Sequence, residues 1–290
     1  MRPLRPARLL NHRHALPTIG RGPGRLSAPR FQSSASQQPS SAPSSVNPDE
    51  ISHFNALAST WWDPHGSSRL LHLMNPLRHD FIRACHASQP DAIPAGRTLR
   101  YLDIGCGGGI FAESAARLPS TASVTAIDPS PDVLAVARAH AKRDPLLQGR
   151  LVYADSSVES LPEPEADVDK YDVVSLFEVV EHVTDPSSFL DRCGRFVRPG
   201  GWLVLSTIAR TWMSWFTTNL VAEDMLRIVP KGTHDWAKYI NEDELRGHFA
   251  RRGWNSPRCT GVVYVPGLGW KEVGGSEKVG NYFFGVRKDS

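Results

Sequence analysis

Between residues 98 and 207, short apolar runs alternate with amphipathic stretches of helical spacing. Compact apolar runs bounded by turn signals indicate buried strands, and apolar residues recurring every three or four positions indicate helices. Strands that alternate with helices in this way need parallel βαβ connections. The pattern predicts an α/β fold, a seven-stranded and mostly parallel sheet with helices on both faces. Its strands are expected at residues 100–104, 123–127, 150–154, 171–176, 202–207, 262–265 and 281–286.

Asparagines are predicted to cap three of the helices. Asn47 precedes a proline and two acids, Asn75 precedes another proline, and Asn241 stands three residues before Glu244, the spacing of a capping box. Two of these helices precede the first strand and are expected to cover the sheet edge or the mouth of a ligand site. The predicted helices span residues 48–62, 76–84, 110–118, 132–142, 186–197 and 241–252, and glycine-rich residues 266–280 are predicted to be a loop.

Residues 208–233 form an insertion after the fifth strand that is rich in aromatic side chains. Trp212, Trp215 and Phe216 lie in a stretch with few charges, which Pro230 interrupts. A helix of this kind either packs in a core or lies in a membrane interface. It is too short and too polar to span a bilayer.

The first 47 residues have a different composition from the rest of the chain. They contain seven arginines, many serines and prolines, and no acid. This composition is typical of a disordered mitochondrial transit peptide, although a basic tail without a targeting role has the same appearance. Without residues 1–48, the formal charge changes from +3 to −4, because seven of the 33 basic residues and none of the 30 acids are removed. The basic balance of the full chain is therefore no argument for nucleic acid binding.

The four cysteines, spread through residues 85–259 without a C-x-x-C pair, indicate neither a zinc site nor a disulfide framework. The folded part, residues 48–290, has the composition of an ordinary soluble domain. A reducing compartment such as the mitochondrial matrix suits these thiols.

A glycine-rich turn follows the first predicted strand. Gly105 and Gly107 belong to a run with four glycines in five positions, which lets a ligand approach the main chain at the start of the next helix. The dinucleotide fingerprint needs a small residue where this chain has Ile110, so NAD is disfavoured. Asp103, just before the turn, would repel a pyrophosphate and suits a cationic or polar group. The turn resembles motif I of the class I S-adenosylmethionine (SAM) methyltransferases.

Acids at the ends of the next two strands are candidates for holding the nucleoside. Asp128 closes the second strand about twenty residues after the turn, where a carboxylate can accept both ribose hydroxyls. Asp155 follows the third strand. It is a candidate for the adenine amino group, or alternatively a helix N-cap.

Glu178, Glu181 and His182 follow the fourth strand, on the edge of the sheet where ligands bind. On a helix or turn their spacing brings them to one face, so two carboxylates and an imidazole form a candidate site for Mg²⁺ or Mn²⁺, with Zn²⁺ also admitted. A metal-bound phenol loses its proton more readily than a free one. Alternatively, His182 or Glu181 removes the proton as general base, or the cluster caps a helix and binds water. His234 is a further histidine, which either reaches this candidate site or remains in a loop away from it.

Five segments together resemble one family, the ubiquinone biosynthesis O-methyltransferases, over residues 50–287. A general methyltransferase would share the glycine motif and little else. The segments are FNALAS-x-WWD at 54–63, NPLR at 75–78, D-x-GCGGG at 103–109, E-x-x-EHV at 178–183 and VPKGTHD at 229–235.

The resemblance implies a SAM-dependent enzyme that methylates catechol-type hydroxyls of polyprenylated rings, 3,4-dihydroxy-5-polyprenylbenzoate and demethylubiquinol. It places Arg78, Gly105, Asp128 and Phe177 at SAM contacts, and Phe177 departs from the methionine of bacterial relatives. It places Glu178, Glu181 and His182 at metal positions. Residues 208–233 would contact the membrane. The family also implies a peripheral location on the matrix face of the inner membrane, in a complex with other enzymes of the pathway.

Two other functions remain open from sequence. The chain is alternatively a SAM methyltransferase for a soluble small molecule, or a non-catalytic scaffold that keeps SAM as a structural ligand. Retention of the acids and the histidine argues against a scaffold.

Overall fold

One mixed sheet of eight strands organises the part of the chain that the computed structural model describes, residues 45–90, 96–209 and 240–289. The strand order is β3-β2-β1-β4-β5-β8-β6-β7. The strands are β1 (Leu99–Ile104), β2 (Thr121–Asp128), β3 (Leu151–Asp155), β4 (Tyr171–Phe177), β5 (Val197–Ile208), β6 (Asn255–Val265), β7 (Gly269–Glu272) and β8 (Asn281–Arg287).

The first five strands are parallel, so their carboxyl ends meet at one edge of the sheet. The chain order reverses between β1 and β4, where Asp103 pairs with Ser175. In open α/β sheets the crevice at such a reversal is the usual ligand site. The predicted α/β fold with a mostly parallel sheet is confirmed, and its topology exposes the ends of β1, β2 and β4 to one crevice.

The predicted strand number of seven is wrong, because part of the expected loop 266–280 pairs with the chain before it. Val263 pairs with Lys271 and Val265 pairs with Gly269, which makes β6 and β7 a hairpin. Gly267 and Gly269 have φ of 81° and 75°, and these left-handed conformations reverse the chain. The short run after Gly269 has too few apolar residues to indicate a strand without its partner.

Six helices in the described residues pack on the two faces of the sheet. Two predicted caps are confirmed: the Asn47 side chain accepts a hydrogen bond from the Asp49 amide at 3.0 Å, and Asn241 with Glu244 forms the capping box. The helices are α1 (Pro48–Leu57), α2 (Arg69–Ala87), α3 (Ile110–Arg117), α4 (Pro131–Ala141), α5 (Pro186–Arg195) and α6 (Glu242–Ala250).

The second helix begins earlier than predicted, and Pro76 lies inside it rather than at its start. Proline removes one intrahelical hydrogen bond and crowds the carbonyl one turn earlier, so the sequence predicts a boundary there. Met74 and Phe81 are both buried in one cluster on either side of Pro76. Burial of this apolar face offsets the cost of the proline. The Asn75 side chain donates to Ser114 Oγ at 2.8 Å instead of capping a helix.

Apolar side chains fill both faces of the sheet. Phe81 of α2 packs on one face with Trp202 and Phe283, whereas Phe189 and Phe249 pack on the other. Trp61 and Trp62 belong to a third cluster over α3 and α4, where Trp61 is buried and Trp62 partly buried, so both pack against the protein interior.

No helix in residues 45–90, 96–209 and 240–289 has the length and apolarity needed to cross a membrane. The predicted insertion 208–233 begins with Ile208, which the structure places at the end of β5. Residues 210–233, His234 and the predicted leader up to residue 44 lie outside the described residues.

Candidate active site

The glycine turn joins β1 to α3 and lies beneath the N-terminal segment. Gly105 and Gly107 have φ of 67° and 52°, the left-handed region that glycine adopts without strain. A Cβ at Gly107 or Gly108 would overlap the indole of Trp61. The Trp62 indole N–H donates to the Gly108 carbonyl at 2.9 Å. The turn therefore requires glycine both for its conformation and for the close approach of Trp61.

Asp128 connects the glycine turn to the start of α4. Its Oδ2 accepts from the Gly107 amide at 2.9 Å, and its Oδ1 accepts from the Ser130 amide at 2.9 Å. Burial raises the pKa of Asp128, while these two amides oppose the shift. Each carboxylate oxygen can accept a further hydrogen bond. Asp128 also lines a cavity that opens at the carboxyl ends of the parallel strands. The predicted contact with ribose hydroxyls is compatible with this position.

Asp155, the other predicted nucleoside contact, is exposed, and Ser156, Ser157 and Val158 beside it line the cavity. An adenine ring at this position would therefore meet the residues after Asp155.

Arg78 and Asp103 carry opposite charges, interact electrostatically and are both buried in the interior of the site. Arg78 is 3% exposed, its guanidinium lies 4.8 Å from the centre of the Phe177 ring, and its Nε is buried without a hydrogen-bond partner among the described residues. Burial lowers the pKa of Arg78, and the carboxylates of Glu178 and Asp103 counteract that shift. A buried guanidinium with an unused N–H donor is suited to an anionic ligand group.

Burial raises the pKa of Asp103 to about 7, although Ser175 Oγ donates to its Oδ1 at 2.7 Å. Asp103 also lines the cavity. The predicted role of holding a cationic or polar ligand group therefore matches its surroundings, since such a group stabilises the ionised carboxylate.

Glu178 has a left-handed backbone that its neighbours hold in place. Its φ is 58°, which is unusual for a residue with a side chain. Ser206 fixes it through three contacts: the Glu178 amide donates to both the carbonyl and Oγ of Ser206 at 3.1 Å, and Ser206 Oγ donates to Glu178 Oε1 at 2.6 Å. The turn after β4 is thus anchored on the neighbouring strand β5.

Glu181 and His182 are held by partners on different elements. Thr207 Oγ1 donates to Glu181 Oε2 at 3.0 Å, and His182 Nδ1 lies 2.9 Å from Glu50 Oε2 of α1. Burial, with the charge of Glu178 added, raises the pKa of Glu181 to about 7. Burial alone would lower the pKa of His182, but the hydrogen bond to Glu50 and the nearby carboxylates raise it overall.

The structure brings Glu178, Glu181 and His182 to one cavity but not to one helix face. Glu178 precedes a short 3₁₀ turn, Val180–His182, so the spacing of an α-helix does not apply. Within the three described ranges, no group of three or more His, Cys, Asp and Glu side chains is arranged to hold a metal ion. The predicted convergence of donors is therefore absent from this arrangement, in which Ser206, Thr207 and Glu50 each engage one of them.

Comparison with known proteins decides the family. Residues 77–256 match the model of a methyltransferase domain. The mitochondrial ubiquinone biosynthesis O-methyltransferase of Schizosaccharomyces pombe is 45% identical over 255 residues, covering 84% of this chain and 87% of the relative. The chain belongs to the ubiquinone biosynthesis O-methyltransferase family. The protein of the same name from Candida albicans is 39% identical over 285 residues, covering 84% of this chain and 86% of that protein.

The fold of this O-methyltransferase has solved counterparts. Magnesium protoporphyrin IX methyltransferase from Synechocystis PCC 6803, solved with S-adenosylhomocysteine (SAH), has a TM-score of 0.57 at 16% identity, covering 83% of this chain and 99% of that one. A possible histamine N-methyltransferase from Thermotoga maritima has a TM-score of 0.52 at 18% identity, covering 82% of this chain and all of that one. The predicted class I methyltransferase fold is confirmed, and the chain is a SAM-dependent O-methyltransferase.

Sequence reasoning missed the residues that hold the candidate catalytic groups of this O-methyltransferase. In the sequence, Glu50 is only one of the two acids that follow Asn47, and Phe54 is only the first residue of the FNALAS-x-WWD segment. In the structure Glu50 pairs with His182 across 132 positions of sequence, and the Phe54 ring lies edge-on at 5.1 Å from the same imidazole. A pairing this distant leaves no local pattern in the sequence.

Proposed function

We propose that this enzyme methylates catechol-type hydroxyls of polyprenylated rings, namely 3,4-dihydroxy-5-polyprenylbenzoate and demethylubiquinol. One observation carries the proposal: a single cavity of about 740 Å³ is lined both by Gly105, Gly107 and Asp128 and by Glu181 and His182. A methyl donor on the glycine turn would share that cavity with the acids and the imidazole. The names of the relatives support the choice of acceptor.

At the donor end, each part of SAM has a chemically matched partner. Asp128 would accept from the ribose hydroxyls, and the buried guanidinium of Arg78 would pair with the carboxylate of the methionine part. Gly105 and Gly107 allow the ligand to approach the backbone closely. Asp103 and the Phe177 ring would lie near the cationic portion of the donor, where an acid and an aromatic face are both favourable.

At the acceptor end, we assign His182 as the group that takes the phenol proton. The hydrogen bond between Nδ1 and Glu50 Oε2 fixes the ring and leaves Nε2 as the nitrogen for the substrate. A free phenol has a pKa of about 10, so a positioned base is needed near neutral pH. Glu181 would stabilise the imidazolium that forms, and it is the alternative proton acceptor because its pKa of about 7 also suits a base.

The transfer itself is a balanced displacement. The phenol O–H bond breaks as its proton moves to His182, and the oxygen lone pair forms a bond to the methyl carbon. The carbon–sulfur bond breaks, and its electron pair stays on sulfur, so the neutral thioether SAH leaves. Holding the oxygen in line with the methyl carbon removes most of the entropic cost of the step.

A divalent cation, Mg²⁺ or alternatively Mn²⁺ or Zn²⁺, remains part of the sequence-based proposal. Glu178, Glu181 and His182 would be its donors, and it would supply Lewis acidity toward the phenol. The excess of carboxylates at this end of the cavity favours a cation electrostatically, but the donors must reorient to meet at one point. Extensive dialysis against EDTA, followed by a turnover assay with and without added Mg²⁺, tests this. Undiminished activity after chelation would remove the cation from the proposal.

The location in the cell is proposed from the sequence and the relatives. The basic leader and the mitochondrial names of the yeast relatives support the matrix, and the aromatic residues of 208–233 support peripheral contact with the inner membrane. Association with other enzymes of the pathway is proposed from the family resemblance alone. Replacing Trp215 and Phe216 by Ser is expected to reduce cosedimentation with anionic liposomes. Unchanged cosedimentation would assign those residues to packing.

Turnover with labelled SAM and a short-chain polyprenyl catechol benzoate tests the proposed activity. We expect a mono-O-methylated product together with SAH. A clear preference for an acceptor without a prenyl chain would favour the soluble-substrate enzyme. SAM binding without any turnover would favour the scaffold.

A further inference from the structure

The β6–β7 hairpin extends past the edge of the sheet at which the candidate active site lies. β8 is antiparallel to β5, with Asn281 opposite Ile208, and β6 is antiparallel to β8, with Val262 opposite the same Asn281. β6 therefore runs in the same direction as β5. Its last residues pair with β7 and continue beyond the point where β8 begins. The hairpin becomes a flap beside the crevice at the carboxyl ends of the parallel strands.

Two hydrogen bonds attach this hairpin to the first turn of α2. The Trp270 indole N–H donates to the Leu70 carbonyl at 3.0 Å, and Arg69 Nη1 donates to the Tyr264 hydroxyl at 3.3 Å. The rings of Tyr264 and Trp270 meet edge-on with centroids 5.5 Å apart. The flap and the helix thus form one continuous wall, and the polar atoms of its two aromatic residues have partners within that wall.

The cavity surface along this wall is mainly hydrocarbon, although Ser67, Ser68 and Tyr264 also line it. Leu71 and Met74 of α2 line the same cavity as Val262 and Trp270, which share one face of the hairpin. The donor end of the cavity differs in character, because Arg78, Asp103 and Asp128 supply charges there. The cavity therefore has a charged end, under β1, β2 and β4, and an apolar end at the opposite edge of the sheet.

The apolar end continues to the protein surface. Val263 lines the cavity and is 38% exposed, and Leu268 at the tip of the hairpin is 68% exposed. A chain lying against this wall would leave the cavity along the hairpin. Apolar side chains at a cavity mouth gain free energy when they bury hydrocarbon and lose it when they bury an unpaired polar group.

We propose that the wall between α2 and the β6–β7 hairpin binds the hydrocarbon substituent of the acceptor and thereby selects prenylated over unprenylated rings. This inference rests on the proposed function and adds to it the residues that contact the chain. The first units of the chain would lie against Leu71, Met74 and Trp270. The reacting hydroxyl would remain at the polar end near His182.

Two Leu→Asp variants on α2 provide a matched test. Leu71→Asp puts a carboxylate on the wall, at a partly buried position that lines the cavity. Leu73→Asp makes the same change two residues further along the helix, at a position that is 40% exposed and lies away from the cavity lining. Each is compared with the unchanged enzyme by thermal melting, to verify folding.

The acceptors are 3,4-dihydroxybenzoate and its 5-farnesyl derivative. We expect Leu71→Asp to raise KM for the farnesyl acceptor by about tenfold or more, the scale of a lost apolar contact in a pocket, and to leave KM for the unprenylated acceptor nearly unchanged. Leu73→Asp should change neither value. Equal losses with both acceptors, or no loss with the farnesyl acceptor, would overturn the assignment of the wall.

Binding of both acceptors to the SAH-loaded enzyme is measured by calorimetry alongside turnover. If neither acceptor is methylated but the farnesyl chain still gives tighter binding that Leu71→Asp removes, the proposed activity fails and the wall stands. If both are methylated with equal kcat/KM, the activity stands and the wall is wrong. A second variant, Trp270→Phe, keeps the apolar ring but removes the hydrogen bond to Leu70, and it should retain the preference for the prenylated ring.

Discussion

The Asp128 carboxylate receives the amide hydrogen of Gly107 at 2.9 Å, which joins the end of β2 to the glycine turn after β1. The acid proposed to bind ribose is therefore also a structural support for the turn that would carry the rest of the donor. Its second oxygen is engaged by the Ser130 amide at the start of α4. Removing this side chain should affect donor binding through both functions.

Asp128→Ala is expected to weaken SAM binding by at least about 100-fold, because two charge-assisted hydrogen bonds to ribose contribute roughly 3 kcal/mol or more together. Calorimetry with SAM or SAH measures the loss. The control is Asp132→Ala, an exposed acid four residues further on, which should leave affinity unchanged. Undiminished affinity in Asp128→Ala would contradict the donor site proposed here.

Glu181→Gln is expected to reduce kcat by about 100-fold or more while SAM affinity stays within about twofold, since Glu181 lies at the acceptor end. The substitution keeps the size of the side chain and its hydrogen bond from Thr207. Single-turnover rates with bound SAM separate chemistry from binding. Glu165→Gln, an exposed carboxylate, is the control. An unaffected rate would take Glu181 out of the mechanism.

Glu50→Gln tests the hydrogen bond that orients His182. The charge of Glu50 raises the pKa of His182, so its removal should shift the rising limb of the kcat–pH profile to lower pH, and kcat at the plateau should fall by about tenfold. The KM for SAM should not change. Asp49→Asn, an exposed neighbouring acid, is the control. A lower kcat with an unshifted profile would mean that Glu50 only anchors α1.

The parallel sheet and the glycine turn were predictable because both leave local signals. Apolar runs indicate buried strands, and Gly105 and Gly107 stand directly after one. The extent of α2 was not predictable, because tertiary burial of Met74 and Phe81 outweighs the local effect of Pro76. Pairings distant in sequence, such as Glu50 with His182 and β6 with β7, were also missed, since they depend on how elements pack.

The orientation of the side chains at the acceptor end also could not be predicted from the sequence. The sequence brings Glu178, Glu181 and His182 together by spacing, and all three do line one cavity. Their orientations depend on Ser206, Thr207 and Glu50, which belong to other elements, so the predicted convergence could not be judged from spacing. Local sequence predicts which residues reach a site better than how they point within it.

Two partly buried histidines on α2, His79 and His86, are expected to make stability decrease in mild acid. Burial lowers the pKa of His86 to about 4, and nearby arginines add to the shift, although Asp172 opposes it. Its Nε2 is buried without a hydrogen-bond partner among the described residues. Burial likewise lowers the pKa of His79 to about 4. Below the unfolded pKa of about 6.5, the unfolded chain binds protons that the folded protein does not.

Because the histidine pKa values are lower in the folded protein than in the unfolded chain, the free energy of unfolding decreases as the pH falls. The contribution of His86 to stability is fully present above pH 6.5 and is lost as the pH falls toward about 4, by up to roughly 3 kcal/mol. His86→Phe keeps an aromatic ring against Trp202, 6.2 Å away, and removes the titrating group. Urea unfolding at about pH 7.5 and about pH 4.5 should show a smaller loss of stability in this variant than in the unchanged enzyme.

The remaining loss would come in part from His79. The control is His65→Phe, at an exposed position, which should leave the pH dependence as it is. Equal pH dependence in His86→Phe and the unchanged enzyme would mean that His86 is protonated alike in the folded and unfolded states.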